Sequence, residues 1–361
     1  MSAALAALES PTHAAVESGE AGITVLHYKE RGLMKVTEPV VWARARIGDG
    51  WEVQGSAAID IVSGASPEGV SDLSGRPVQV VSGASVTDRR HLGDIKVGRR
   101  FGELTVSVSR AFSEEEDYRS HAHGIEGKLD LNDRNTTLVA AYGQSNDRVG
   151  SSDDPALDER RDTREYLVGI TQVVSPVAVV QSTLAWTQGR GWYNDPYKYT
   201  RTLPFFMPDT RPASRETLAW LTRYRHHVPD ARGTLQADYR FYRDDWAVRA
   251  HTLDVAWEQS MGPVWALRPG VRYHTQRAAR FYGITVPRDP PEHLSSDPRL
   301  AAFGGVSLSL RAIGRFANGV TLEATVGNVR NASSLRLEGQ GSPAYETLRA
   351  WYGIVSVSRS F

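Results

Sequence analysis

Apolar and polar residues alternate with a period of two along most of the chain after residue 20. In the segment 234–245, TLQADYRFYRDD, the residues Leu235, Ala237, Tyr239 and Phe241 alternate with mostly polar neighbours. Because successive side chains of a β-strand point to opposite faces, this period predicts strands with one apolar and one polar face. No long segment shows the 3.6-residue period of an amphipathic helix, so the pattern predicts an all-β protein. Further segments with this alternation are 104–109, 253–258, 265–273, 306–311 and 320–326.

The connections between these predicted strands mostly alternate between short turns and long polar loops. The short turns are rich in Gly, Asn and Asp, which accept positive φ angles; they include Gly48-Asp49-Gly50, Gly102-Glu103, Asn132-Asp133-Arg134, Ser175-Pro176, Gly262-Pro263 and Asn318-Gly319. The long loops are 62–88, 147–162, 189–213, 280–297 and 331–348. In an up-and-down meander, successive connections lie at opposite ends, so one end carries the turns and the other the loops. Outer-membrane barrels show this asymmetry, and a soluble sandwich has no reason to.

The predicted fold is all-β: a single antiparallel up-and-down transmembrane β-barrel of about 16 strands, with short periplasmic turns and long external loops. The barrel covers residues 21–361. Residues 1–20 are expected to be a disordered tail or a truncated signal-peptide remnant, because the apolar run Ala3–Leu8 is short and lacks a basic region before it. The predicted strands are 21–30, 34–47, 51–62, 89–101, 103–112, 117–131, 135–146, 162–174, 177–189, 214–228, 233–243, 246–260, 264–278, 298–316, 319–330 and 349–361.

Aromatic residues favour lipid as the surroundings of the apolar faces. Several stand on apolar faces near predicted strand ends, where the aromatic girdles of a membrane barrel belong. Arginines on the same faces are expected near strand ends, where a cation costs ~0–1 kcal/mol instead of the ~2–4 kcal/mol at the bilayer midplane. The aromatic residues are Trp186, Trp220, Trp257, Trp265 and Tyr273, and the arginines are Arg99, Arg110, Arg249 and Arg359.

The last strand has the character of an assembly signal. The chain ends in WYGIVSVSRSF, in which Trp351, Val355, Val357 and Phe361 share one face. A terminal aromatic residue on an amphipathic strand resembles the signal that the outer-membrane assembly machinery reads. The expected location is the outer membrane of a Gram-negative bacterium, with membrane lipid and the barrel-assembly machinery as partners.

Composition limits the chemistry. The 361 residues include 42 basic and 42 acidic ones and no cysteine. The balanced charge gives no indication of a nucleic-acid partner. The absence of cysteine excludes disulfides, thiol catalysis and cysteine-bound zinc. No run approaches the ~18 apolar residues of a transmembrane helix, whereas a barrel strand needs apolar residues only at alternate positions.

The polar faces supply the first candidate site, the lining of the barrel lumen. One interpretation is a charged constriction that selects solutes. The other, favoured by the mixed signs, is a neutral network of ion pairs that fills the lumen. The lumen-lining candidates are Arg223, Arg225, Asp238, Arg240, Asp254, Glu258, Arg268, Arg272, Arg311 and Glu323.

The loop Gly189–Asp209 supplies the second candidate site. A loop of this length is usually functional or disordered, and its aromatic content argues against disorder. We expect an ordered loop that folds inward as a plug; the alternative is a loop that reaches outward to a ligand or partner. The candidate residues are Trp192, Tyr193, Asn194, Asp195, Tyr197 and Lys198.

Metal and enzyme chemistry have little support in the sequence. The pairs His121/His123 and His226/His227 fall short of the three or four converging ligands that a metal site needs. No Gly-x-Ser-x-Gly, P-loop, His-Glu-x-x-His or Gly-x-Gly-x-x-Gly motif stands in a suitable context. We therefore expect no metal, no cofactor and no catalytic residues.

Several stretches together resemble a known family. They are GRGWYNDPYK (Gly189–Lys198), DTRPASR (Asp209–Arg215), YRFYRDDWAVRAHT (Tyr239–Thr252), SDPRLAAFG (Ser296–Gly304) and DIVSGASP (Asp60–Pro67), the last echoed by VSGAS at Val81–Ser85. From about Gly22 onward the chain resembles the uncharacterised Gram-negative outer-membrane proteins of domain of unknown function 3570. The resemblance implies an outer-membrane β-barrel and a signal peptide, and supplies no substrate or catalytic residue. It also associates the chain loosely with envelope redox and flavin-attachment systems.

Three functions remain open at this point. The first is a porin-like or plugged channel for a small solute. The alternative is a structural or interaction barrel with a closed lumen in an envelope complex, which the family resemblance associates with redox systems. The third is an outer-membrane enzyme such as a hydrolase.

Overall fold

The computed structural model describes residues 16–64, 67–72, 77–81, 86–202, 205–343 and 345–361. For the described residues within 64–87 and 201–206 it describes the backbone alone. Sixteen antiparallel strands form a closed barrel, which confirms the predicted fold class and strand number. They are β1 (Val16–Glu30), β2 (Met34–Ile47), β3 (Trp51–Gly64), β6 (Val86–Phe101), β7 (Leu104–Glu114), β8 (Tyr118–Leu131), β9 (Thr136–Val149), β10 (Glu159–Ser175), β11 (Ala178–Gly191), β14 (Ser214–Val228), β15 (Gly233–Asp244), β16 (Arg249–Met261), β17 (Trp265–Gln276), β18 (Phe303–Arg315), β19 (Val320–Ala332) and β20 (Leu348–Ser360). Four short strands form a second sheet in the order β13-β12-β4-β5: β4 (Pro67–Asp72), β5 (Pro77–Val81), β12 (Tyr199–Thr202) and β13 (Phe205–Pro208).

The connections sort by length, as the sequence predicts. At one end of the barrel, the turn end, tight connections such as 48–50, 102–103 and 317–319 join the strands. Backbone angles there are left-handed, with φ of 63° at Asp49 and 80° at Gly319. At the other end, the loop end, the connections include 150–158, 192–213, 277–302 and 333–347. The barrel closes where β20 pairs with β1, at pairs such as Val25 with Val355.

Several strand boundaries differ from the prediction. β1 begins at Val16, so residues 16–20 belong to the barrel rather than to a tail, while residues 1–15 lie outside the described chain. β16 begins at Arg249 rather than at residue 246, and β18 begins at Phe303 rather than at residue 298. In both places the residues excluded from the strand, including Trp246 and Leu300, belong to a buried cluster among the loops. The second sheet lies within segments that the sequence suggested were loops.

Exposure separates the two faces of the barrel wall. On β18, Leu308 and Leu310 are 52% and 46% exposed and face outward. The alternate residues Ser309 and Arg311 face inward, where Arg311 pairs with Glu323 of β19. The segment 234–245 shows the same separation of faces, because Tyr239 packs against Trp220 on the outer surface of the barrel. The apolar faces therefore form the outer surface and the polar faces line the lumen. Neither of the two helices among the described residues is long and apolar enough to cross a bilayer.

Candidate functional site: a lumen beneath a lid

The connection between β11 and β14 crosses the loop-end mouth of the barrel. After Gly191 the chain reaches Tyr197, whose hydroxyl donates to Asp117 and accepts from the Ser152 backbone N–H at 2.8 Å. It continues into β12, which pairs in parallel with β4, in the connection between β3 and β6. Since β6 to β10 separate β11 from β3 in the barrel, this segment bridges distant parts of the wall. We name residues 192–202, 205–213 and 277–302, together with β4 and β5, the lid.

Aromatic packing anchors the lid inside the barrel rim. The Tyr193 ring meets the fully buried Trp246 edge-on, with ring centroids 5.3 Å apart. The Arg215 guanidinium lies 4.3 Å above the Trp246 ring. A Cβ at the inward-facing Gly189 would lie 1.8 Å from the Tyr193 hydroxyl oxygen, so glycine provides the space that Tyr193 occupies. At the start of the Gly189–Asp209 loop, Tyr193 therefore lies inside the barrel rim.

A cluster of ions around the buried Asp297 holds the two long loops of the lid together. Asp297 is fully buried and accepts from Arg211 at 2.9 Å and from Arg299 at 2.5 Å. Arg211 also donates to Asp209 at 2.6 Å, and Arg299 donates to Asp195 at 2.6 Å. Buried charges are tolerated only when paired and hydrogen-bonded, and here each arginine serves two carboxylates. We name these five residues the lid ion cluster.

The pKa values of Asp297 and Asp209 in the lid ion cluster are shifted in opposite directions. Burial by itself would raise the pKa of Asp297, but the hydrogen bond and charge of Arg299 outweigh it and hold the pKa at about 2. Burial raises the pKa of Asp209, and the nearby Arg211 offsets only part of that shift. Asp297 is therefore the carboxylate whose charge the cluster stabilises most strongly.

The remaining loop candidates lie in the same network. The Asn194 side-chain oxygen accepts from the Arg211 backbone N–H at 2.7 Å, and the Lys198 ammonium lies 3.8 Å from Asp195. The Trp192 backbone N–H donates to the Arg160 carbonyl at 2.9 Å. Sequence reasoning missed the partners Asp209, Arg211, Asp297 and Arg299 as site residues, although they stand in the motifs DTRPASR and SDPRLAAFG.

The ten lumen-lining candidates lie on the inward faces of adjacent strands, β14 to β19. Most of them form ion pairs across neighbouring strands. Arg272 donates to Asp254 at 2.7 Å, and Arg311 pairs with Glu323. Asp238 serves both Arg225 and Arg223, the latter at 3.8 Å. Arg240 lies 5.4 Å from the Tyr242 ring centroid instead.

Glu258 likewise serves two arginines. Arg268 lies 3.8 Å away and Arg315, which the sequence analysis did not include, lies 3.2 Å away. The wall is ion-paired yet holds more arginines than carboxylates, and both sequence interpretations stay open. Such a wall offers many charged donors and acceptors to a polar solute.

Open space follows the opposite wall of the lumen. A cavity of about 510 Å³ at the turn end is lined by Glu20, Arg44, Lys96 and Glu126 among others. It shares Glu20 and Arg44 with a cavity of about 400 Å³, and Lys96 and Glu126 with one of about 430 Å³. The third cavity reaches Thr163, whose hydroxyl and that of Tyr193 in the lid both lie beside Gly189. The lumen is therefore hollow from the turn end to the underside of the lid.

Two further sequence candidates have defined positions. Trp351, Val355, Val357 and Phe361 are exposed on one outward face at the end of the chain. The histidines are scattered: His121 and His123 are outward on β8 and His274 hydrogen-bonds Thr252 in the lumen. No group of three or more potential metal ligands occurs among the residues that the structure describes.

Comparisons with known proteins agree with this fold. Residues 1–157 and 151–344 match a family model described as "Protein of unknown function (DUF3570)". Among solved structures, the chain is similar to a "Bacterial polysaccharide outer membrane secretin" at 10% identity, covering 95% of this chain and 98% of that one with a TM-score of 0.52. CdiB from Acinetobacter baumannii is similar at 9% identity, with 95% and 60% coverage and a TM-score of 0.52. A search of curated proteins found no match. At these identities the structural similarity shows a shared fold only.

Proposed function

The chain belongs to the DUF3570 family, whose description names no activity, and on that premise we propose a function from the geometry. The protein is an outer-membrane channel for small polar solutes whose loop-end mouth is covered by a lid. The observation that carries the proposal is the hollow, charged lumen directly beneath an ordered crossing segment.

The size of the barrel supports a channel. Sixteen strands enclose more space than side chains fill, and barrels of this size leave an aqueous lumen. Small inward-facing residues on β7 and β8 leave space in the lumen; they include Ser107, Ser109, Ala111 and Gly124. A barrel that served only as a scaffold would have no need of this space.

The lining supports a polar solute. Arginine–carboxylate pairs such as Arg272–Asp254 and Arg311–Glu323 can exchange partners with the charged or hydroxyl groups of a passing solute. An apolar solute would remove water from these groups and offer no hydrogen bond in return, which is unfavourable. The cavities, at about 400 to 510 Å³, suit small molecules.

The outer surface supports the membrane location. Exposed Leu308, Leu310 and Val326 belong to an apolar outer surface. Contact of such a surface with water is unfavourable, whereas lipid would cover it. Trp351 and Phe361 on the closing strand are each 67% exposed, as expected for the face that the assembly machinery reads. Both membrane lipid and that machinery are therefore included as partners in the proposal.

The test is single-channel conductance of the refolded protein in a planar bilayer. The matched variant lacks the hairpin Tyr199–Pro208, which bridges to β4. The Asp209 backbone N–H donates to the Lys198 carbonyl at 2.9 Å, so a Gly-Gly turn can join these residues without strain. The control is Asp133→Gly, at a turn-end position with φ of 53° that glycine adopts readily. A heat-dependent gel shift verifies that each barrel has folded.

We expect brief or small conductance steps from the wild type and larger, longer-lived steps from the hairpin deletion. The control should behave as the wild type. Folded protein that stays silent both with and without the hairpin would contradict a channel. Equal, large conductance steps from all three proteins would support the channel proposal and would show that the lid does not gate the channel.

The lid ion cluster favours a second candidate, a barrel whose lumen is permanently closed. Asp297 and Arg211 are so well buried that the lid has the character of a fixed structural element. A silent hairpin deletion is the result that this candidate predicts. The search would then move from solutes to protein partners of the envelope.

A further inference from the structure

The outward face of β7 carries an arginine well inside the strand. Arg110 stands between the outward residues Val108 and Phe112, which are 56% and 46% exposed. Its neighbours Ser109 and Ala111 line the lumen cavity, so Arg110 points away from the lumen. The sequence expectation that Arg110 lies near a strand end is wrong, because β7 continues to Glu114. A lipid-facing cation inside a strand is tolerated when its head reaches a partner or the headgroup region.

Further polar residues continue from Arg110 across the neighbouring strands. Arg110 pairs in register with His123 of β8, His123 with Gln144 of β9, and Gln144 with Arg164 of β10. Because neighbouring strands lie ~4.8 Å apart, this row of four residues extends over roughly 14 Å. We name it the outward polar row. Arg119 continues the basic surface on β8 toward the loop end.

The aromatic residues next to the row indicate its depth in the membrane. The Tyr142 and Tyr166 rings are 5.3 Å apart, and Trp186 stacks on Tyr166 at 5.3 Å. Tyr and Trp rings collect where a membrane barrel meets the lipid headgroups. Gln144 and Arg164 are two residues beyond Tyr142 and Tyr166 on the loop side. Long arginine side chains on this side of the girdle reach the headgroup region.

The protein itself provides little compensation for these cations. None of the ion pairs among the described residues includes Arg110, Arg119 or Arg164. Of the carboxylates on this wall, Asp158 pairs with Arg148 and Asp162 accepts from Asn146, both nearer the loops. Glu114, at the end of β7, is in register with Arg119.

We propose that the outward polar row binds a phosphorylated glycolipid of the membrane leaflet on the loop side. The Arg110 and Arg164 guanidinium groups contact its phosphates, since arginine forms paired, charge-assisted hydrogen bonds with phosphate oxygens. His123 and Gln144 lie between them and donate to the phosphate or sugar oxygens. A second copy of the chain is a poorer occupant, because a two-fold contact would bring two arginine-bearing rows together. The inference rests on the proposed membrane location and is independent of channel activity.

The experiment measures lipid binding to the refolded full chain in detergent micelles by native mass spectrometry. The probes are lipid A with its phosphates and the same lipid after enzymatic removal of the phosphates. The test variant is Arg110→Gln/Arg164→Gln. The matched control is Arg243→Gln/Arg249→Gln, another outward pair in register with each other, at the loop end of β15 and β16.

We expect the wild type and the control to bind phosphorylated lipid A with equal affinity, and the test variant to bind it about ten-fold more weakly. Equal binding by the test variant, or equal binding of the dephosphorylated lipid, overturns the proposal. If the wild type and the control show the mass of a dimer and the test variant does not, the row forms a contact between copies of the chain. That result also overturns the proposal. A chain that shows no heat-dependent gel shift in micelles overturns the membrane location, and this inference with it.

Discussion

Arginine–carboxylate pairs occur in two regions of this barrel, the lid and the lumen wall, and their surroundings differ. In the lid, Asp297 is fully buried and the Arg211 side chain is 10% exposed. In the lumen, the Arg272 side chain is 61% exposed and its partner Asp254 is 34% exposed. The same chemistry therefore has different consequences. A buried pair fixes the structure, because removing one partner leaves an uncompensated charge. A solvated pair stabilises little and mainly sets the local electric field.

The largest effect is expected where the lid ion cluster loses its central carboxylate. Asp297→Ala removes the acceptor that Arg211 and Arg299 share. Arg211 is buried and keeps only Asp209, so we expect a cost of about 1.5–3 kcal/mol for the lost charged hydrogen bonds. We expect faster protease cleavage and faster hydrogen exchange in 192–202 and 293–301, with an intact barrel. The control Asp158→Ala removes an exposed partner of Arg148 in another loop and should leave the lid unchanged. Identical lid protection in both variants would show that the cluster does not hold the lid.

A smaller energetic effect, with a clear functional readout, is expected in the lumen. Arg268→Glu/Arg272→Glu should change the unfolding free energy by only about 1–2 kcal/mol, because both pairs are partly solvated. Reversing two positive charges should shift the reversal potential of the hairpin-deleted channel toward cation preference. The opposite variant, Asp254→Asn, should shift it toward anions. Unchanged selectivity in the charge-reversed variant would exclude the wall as the selective element.

The smallest effect concerns the pH dependence of the lid. The pKa of Asp297 is about 2, below the unfolded value of ~3.9, so its contribution is present above pH ~4 and lost as the pH falls toward 2. The raised pKa of Asp209 has the opposite sign, because protonation relieves the cost of burying its charge. The protection factors of the lid amides, which are their intrinsic exchange rates at each pH divided by their observed rates, should therefore stay constant or rise slightly from pH 8 to about 5 and fall only below about 3. Loosening of the lid already at pH 5 would contradict this assignment.

These comparisons also explain which parts of the site the sequence could predict. The inward arginines from Arg223 to Arg311 follow from strand alternation, because the residues between outward apolar side chains must point to the opposite face. The pairing of Arg211 with Asp297 joins residues in separate loops, and no periodic pattern relates them. The position of Arg110 was missed because the boundary of β7 was placed at residue 112, and strand ends are the least certain part of such a prediction.

The sequence by itself determined the barrel: its strand number, the sorting of turns and loops, and the assignment of faces. These features depend on local rules, namely the two-residue period of a strand and the positive φ of Asp49, Asp133 and Gly319 in turns. Only the tertiary structure decided that the loops form a lid, since β12 pairs with β4 from a distant part of the chain. Such pairing depends on where the closed barrel brings its loops together, and that information is absent from any local pattern.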